Sequence, residues 1–240
     1  MIKGILFDKD GTLLEFHSTM HNIYIDIFIC LKDRYRVPDL LLQRLKDALG
    51  HLPDRLRADS ILPFSTNPQV AEVMLEVSGK YAVELHWQQS FNQTDLLELM
   101  EEISIGENVL YTTLTGVPET LRYLKNKDYK IGIATADTLN ATVAGLKKTG
   151  IIDYFEYLGT SDDLKPKPDT FLADMFCSQC GIAPNEILII GDSKNDMVFA
   201  ENVGAYFIGI DPPCNSTSVF SNTGHKSVSN INEIIEIFNL

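Results

Sequence analysis

Basic residues are scarce. Twenty Lys and Arg stand against 33 Asp and Glu, which leaves a net charge of −13 over 240 residues. No basic stripe is left to follow a nucleic-acid backbone, so nucleic acid is excluded as a partner, and so is an anionic membrane surface. Cysteine is sparse too. Four in a chain of this length form no disulfide framework, and the cytosol, where thiols stay reduced, is the expected compartment. Long hydrophobic runs are missing. The most apolar helical stretch, residues 23–31, is broken by Asp26 and falls far short of a membrane span. The opening apolar run is too short for a secretion signal and meets acid at Asp8 and Asp10. There is no internal repeat and no low-complexity segment.

What is present has the composition of a globular protein, 45% apolar and 22% charged. At about 150 residues per domain, the length suits one large domain or a core with a smaller insert. Short apolar runs at 2–7, 130–134, 186–190 and 205–210, with a weaker one at 155–158, predict buried parallel strands. Helical patterns fall between and after them, at 117–126, 139–149, 170–180, 195–202 and 231–238. The alternation predicts an α/β fold with a Rossmann-like, three-layer parallel sheet. Residues 15–110 break the rhythm. Val70, Val73, Met74, Val77 and Tyr81 share one helical face, as do Leu41, Leu42, Leu45, Ala48 and Leu49. Gly50 suits the end of the second of these helices, and Pro38 its first turn. The expected organisation is therefore a core of residues 1–14 and 111–240 interrupted by an all-helical cap, 15–110.

Four places carry chemistry. Asp8-Lys9-Asp10-Gly11-Thr12 follows the first strand directly, and ligands of open α/β sheets bind beyond strand carboxyl ends. Two carboxylates in one sharp turn repel each other, so a cation between them is useful, and hard oxygen ligands favour magnesium. Gly191-Asp192-Ser193-Lys194-Asn195-Asp196 repeats the arrangement after the run at 186–190. By itself that segment reads equally well as a helix cap. In Leu164-Lys165-Pro166-Lys167-Pro168-Asp169 the prolines stiffen a loop that can fix a lysine near phosphate and carboxylate charge. Thr135 ends the strand at 130–134, with its hydroxyl able to donate to a phosphoryl oxygen.

In this order, and with the helix pattern that starts at Gly116-Val117-Pro118-Glu119, these segments resemble the haloacid dehalogenase superfamily of phosphohydrolases, in its phosphoglycolate phosphatase-like branch. The resemblance spans essentially the whole chain. It implies that Asp8 is the nucleophile, forming an aspartyl-phosphate, and that Asp10 is the acid and base. It implies Mg2+ ligated by the Asp8 and Asp192 side chains and the Asp10 main-chain carbonyl, with Asp196 behind them. Thr135, Ala136 and Lys165 would bind phosphate, with Thr135 and Lys165 assisting catalysis. Lys165 is preferred for its fit to a K-P-x-P pattern, with Lys167 as the alternative. Asp137 stands where relatives often carry Asn. The implied activity is magnesium-dependent hydrolysis of a small phosphorylated metabolite, phosphoglycolate-like, by a monomer or homodimer. The alternatives are a phosphomutase of the beta-phosphoglucomutase kind and a weakly active regulatory protein on the same fold.

Other features read as structural. Cys177-Ser178-Gln179-Cys180 has no second ligand pair nearby and lies at a helix end, so both cysteines are expected to pack. Trp87 and His86 are expected to pack within the insert. His17 reads as an exposed hinge residue, and residues 98–102 as a solvated helix face.

Overall fold

The computed structural model describes residues 1–57, 60–62, 65–88, 91–211 and 219–238. The chain forms two compact units, Met1–Glu15 with Tyr111–Leu240, and Phe16–Leu110.

The first unit is built on six parallel strands: β1 (Gly4–Phe7), β2 (Lys130–Ala134), β3 (Tyr157–Gly159), β4 (Ile187–Gly191), β5 (Tyr206–Ile210) and β6 (Lys226–Val228). Their order in the sheet is β3-β2-β1-β4-β5-β6, with Phe7 opposite Ile133 on one side and Ile190 on the other. This is the doubly wound order, and its switch point lies between β1 and β4. Leu6 joins Leu172, Phe176, Ile189, Phe199 and Phe207 in a buried cluster beneath α7 (Phe171–Cys180) and α8 (Lys194–Val203). Side chains alternate along a strand, so Ile5 and Phe7 face the opposite side, and both are fully buried. The sheet is thus covered on both faces, which accounts for strands that read as unbroken apolar runs. The Phe176 ring packs closely on the sheet at Gly132, where a Cβ would come within 2.9 Å of it.

The strand pattern read from sequence holds for five strands. The sixth, β6, has the sequence Lys-Ser-Val, and only Val228 is buried. An edge strand this short has no apolar run to announce it. Helices α5 (Val117–Asn126), α6 (Leu139–Lys148) and α9 (Glu233–Phe238) complete this unit.

The second unit contains α1 (His17–Tyr35), α2 (Asp39–Leu49), α3 (Asn67–Ala82) and α4 (Gln93–Ile105). Helix α2 buries Leu41, Leu42, Leu45 and Leu49, and Gly50 closes it at φ +72°. Pro38 stands just before α2 rather than inside its first turn. Thr66 and Gln69 form a capping box that starts α3. His51 is buried and stacked on His21, with ring centroids 4.4 Å apart, and its Nε2 lies 3.0 Å from the His21 carbonyl oxygen. Trp87 packs on Phe91, His86 and His17 are exposed, and Glu102 pairs with Arg34 through both carboxylate oxygens.

The segments that leave and re-enter the first unit pair with each other. Glu15 donates to the Thr112 carbonyl and Leu114 to that of Leu13, while Leu14 and Thr113 form an antiparallel bridge.

Candidate active site

Asp8 follows the last residue of β1, and its amide still donates to the Ile190 carbonyl at 2.8 Å. That bond extends the β1–β4 ladder and fixes the start of the acidic loop. Gly11 turns the chain at φ +79°, where a Cβ would lie 2.0 Å from Asp192 Oδ2. Only glycine lets the Asp192 carboxylate close over this turn. Ser193 caps α8 in a reciprocal capping box with Asp196, which draws the Asp196 side chain back toward the sheet end.

The lysine at the centre of this cluster is Lys167. Its ammonium lies 2.7 Å from Asp8 Oδ1 and 2.6 Å from Asp196 Oδ1, and its side chain is 4% exposed. Lys165, the residue preferred from sequence, is 62% exposed and pairs with Asp169, four residues on in the same loop. Of the two lysines that the sequence left open, the structure brings Lys167 to Asp8 and Asp196 and leaves Lys165 outside the cluster. Both lysines precede a proline, and local sequence does not distinguish them. What separates them is the path of the loop, which Asn202 of α8 anchors by donating to the Pro168 carbonyl. Asp169 also donates its amide to Pro166, closing the turn around Lys167.

Asp8, Asp192 and Asp196 each bring a carboxylate oxygen within 4.8 Å of the others, the spacing of a metal-holding group. Burial, aided by Asp196, pushes Asp8 up to about 7 against the pull of Lys167. Burial and the neighbouring Asp8 raise Asp192 well above the usual carboxylate range. Crowded acids in this state are what a divalent cation relieves, and all-oxygen donors suit Mg2+. The residues therefore fit the metal. Among the described residues, the side-chain oxygens in this group include Asp196 but not Asp10, whose carboxylate turns instead to Lys9.

Thr135 is buried at the end of β2. Its Oγ1 accepts from the Asp137 amide at 3.2 Å, which leaves the hydroxyl proton to donate elsewhere. Ala136 is exposed and offers only backbone groups. Asp137 does not face solvent as a free charge. Its Oδ2 lies 3.0 Å from the buried Lys9 ammonium. Lys9 is the site residue that sequence reasoning passed over, and a lysine between two aspartates was the signal that marked it. Cys177 is buried against the cluster beneath α7, and burial pushes its thiol up to about 11, as befits a packing residue.

A doubly wound sheet with carboxylates and a buried lysine converging at its switch point defines a class, the open-sheet α/β proteins whose ligands bind beyond strand carboxyl ends. The chain belongs to the haloacid dehalogenase-like hydrolase family, whose model matches residues 2–204. It is 28% identical over 212 residues to pyrophosphatase PpaX of Bacillus velezensis, covering 87% of this chain and 83% of that one. Among solved structures it resembles a HAD phosphatase from Thermococcus onnurineus, with TM-score 0.66 and 22% identity over 99% of this chain and 98% of that one. It also resembles a predicted phosphoglycolate phosphatase from Haemophilus somnus, with TM-score 0.67 and 20% identity over 99% and 98%. At these identities the two structures speak for the fold alone.

Proposed function

We propose that this chain is a Mg2+-dependent phosphatase that cleaves a small phosphorylated metabolite through an aspartyl-phosphate on Asp8. The observation that carries the reading is the buried Lys167 joining Asp8 to Asp196, with Asp192 beside them at the switch point. Lys167 engages Asp8 Oδ1, and Oδ2 is the oxygen that attacks phosphorus. As that bond forms, the bond from phosphorus to the leaving oxygen breaks, and Asp10 donates a proton to the departing alcohol. Water then attacks the acyl-phosphate, Asp10 takes its proton, and inorganic phosphate leaves with Asp8 regenerated. The Thr135 hydroxyl and the Lys167 ammonium hold phosphoryl oxygens, and Ala136 contributes through its backbone. Asp196 holds Lys167 in place. Mg2+ held by Asp8 and Asp192, with the Asp10 carbonyl, offsets the charge of carboxylates and phosphate.

The similarity to a pyrophosphatase and the fold shared with a predicted phosphoglycolate phosphatase set the substrate panel. Phosphoglycolate-like monoesters are the proposed class, with pyrophosphate as the comparison. The net charge of −13 supports a small substrate rather than a nucleic acid. Phosphate release is measured across the panel with Mg2+, after chelation, and for Asp8→Asn. Turnover should require the metal and vanish in Asp8→Asn. Full activity of exhaustively chelated protein, or of Asp8→Asn, would sink the proposal.

A further inference from the structure

Lys9 stands between the two aspartates of the first loop and is fully buried. Its ammonium reaches both Asp10 oxygens, at 2.8 and 2.7 Å, and lies 3.0 Å from Asp137 Oδ2. The Tyr111 ring flanks it, with its centroid 5.9 Å from Nζ. A buried ammonium needs acceptors for its N–H groups, and these two carboxylates supply them. Asp137 is itself fixed. Its Oδ1 accepts from the Thr138 amide at 2.9 Å, and its own amide donates to Thr135 Oγ1. A continuous line of contacts thus runs from the start of α6 through Asp137 and Lys9 to Asp10.

We propose that Lys9 is a positioning residue for Asp10, and that Asp137 holds Lys9 in place. Together they set the direction in which the Asp10 carboxyl meets the leaving oxygen and the attacking water. The inference rests on Asp10 being the proton-transfer group. The pairing of one cation with two carboxylates is its main support. When the Asp10 carboxyl turns toward substrate, Asp137 keeps the ammonium paired, so no bare charge is left inside the protein. With Lys9 removed, Asp10 loses its tether and Asp137 faces an empty pocket.

The test compares Lys9→Met, Asp137→Asn and Asp10→Asn in the full-length protein on two esters. The p-nitrophenyl phosphate leaving group departs without a proton, whereas the alcohol of an alkyl phosphate requires one. For Lys9→Met, kcat/KM on the alkyl ester should fall at least ~10-fold more than on the aryl ester, a part of the 10²–10⁴-fold that proton transfer supplies. A burst of p-nitrophenolate near one per site should precede steady turnover, because hydrolysis of the acyl-phosphate also needs Asp10. Asp137→Asn should show the same pattern at smaller amplitude. Equal losses on both esters with no burst would overturn the proposal, since that is what general damage to the fold produces. If Lys9→Met does not fold, Asp137→Asn decides by the same criterion. Asp10→Asn separates the two levels of the argument. If it lacks the pattern, the acid–base reading fails and takes this inference with it. If it alone shows the pattern, only the role of Lys9 falls.

Discussion

Asp8, Lys167 and Asp196 form a buried, closely paired group of charges, so single substitutions there have sharp expectations. Lys167→Ala would leave Asp8 and Asp196 facing each other in a buried site without their cation. Its kcat should fall about 100-fold or more, on the scale of losing one preorganised donor. Lys165→Ala removes an exposed pair and should leave kcat within about twofold. Steady-state kinetics of the two variants side by side would check this, and the reverse ranking would restore Lys165. Gly11→Ala should be as damaging as a change of ligand. Its Cβ would meet Asp192 Oδ2 at 2.0 Å on a backbone at φ +79°, so Asp192 must move. The Mg2+ concentration for half-maximal activity should rise, and an unchanged value would show that Asp192 does not hold the metal. The aspartates and Gly11 could be singled out in sequence because two acidic segments each follow an apolar run, although the second alone reads equally well as a helix cap. Lys167 could not. Two lysines two residues apart, each before a proline, differ only in which one the folded loop turns inward.

Among the elements, strands β1, β2, β4 and β5 could be read from sequence because they are buried on both faces, and their apolar runs carry no competing signal. Tyr157–Gly159 gave a weak signal and Lys226–Val228 none, since short strands owe their place to neighbours rather than composition. The sheet and α7 meet at Gly132, where Gly132→Val would drive a branched side chain into Phe176 and Leu6. Overpacking of this kind costs about 1–3 kcal/mol. Chemical denaturation should register that loss, and an unchanged midpoint would mean α7 can shift freely. In the helical insert, α1 and α2 carry a pH signature. Burial holds His51 below its ordinary value, outweighing the hydrogen bond to the His21 carbonyl, which favours the protonated ring. The unfolded chain therefore takes a proton below about pH 6.5 that the folded protein resists. Stability from this group is present above that pH and lost as pH falls. The difference in melting temperature between wild type and His51→Phe should change steadily from pH 7.5 to 5, to the disadvantage of wild type at the acid end. A constant difference would remove His51 as the cause.

For the whole molecule, charge is the dominant quantity. A chain at −13 gathers three of its carboxylates, closely spaced, at one sheet end. Asp8, raised to about 7, favours the folded state fully below the ordinary carboxylate range and loses that contribution as pH rises through 7. A cation takes the place of the missing proton. Mg2+ should therefore raise the melting temperature more at pH 8 than at pH 5.5, by ligand linkage to the folded state. An equal shift at both pH values, or none, would mean the carboxylates do not share the metal. The pairing of residues 13–15 with 112–114 has a consequence of a different kind. The two ends of the insert are already joined by backbone hydrogen bonds made within the first unit. The first unit is therefore a chain with a removable parenthesis. Deleting residues 16–110 and bridging the gap with a few glycines replaces a long loop by a short one, which lowers the entropy cost of closure. The six-stranded sheet should survive that surgery, and the same two attachment points should accept a foreign insert whose own ends lie close together.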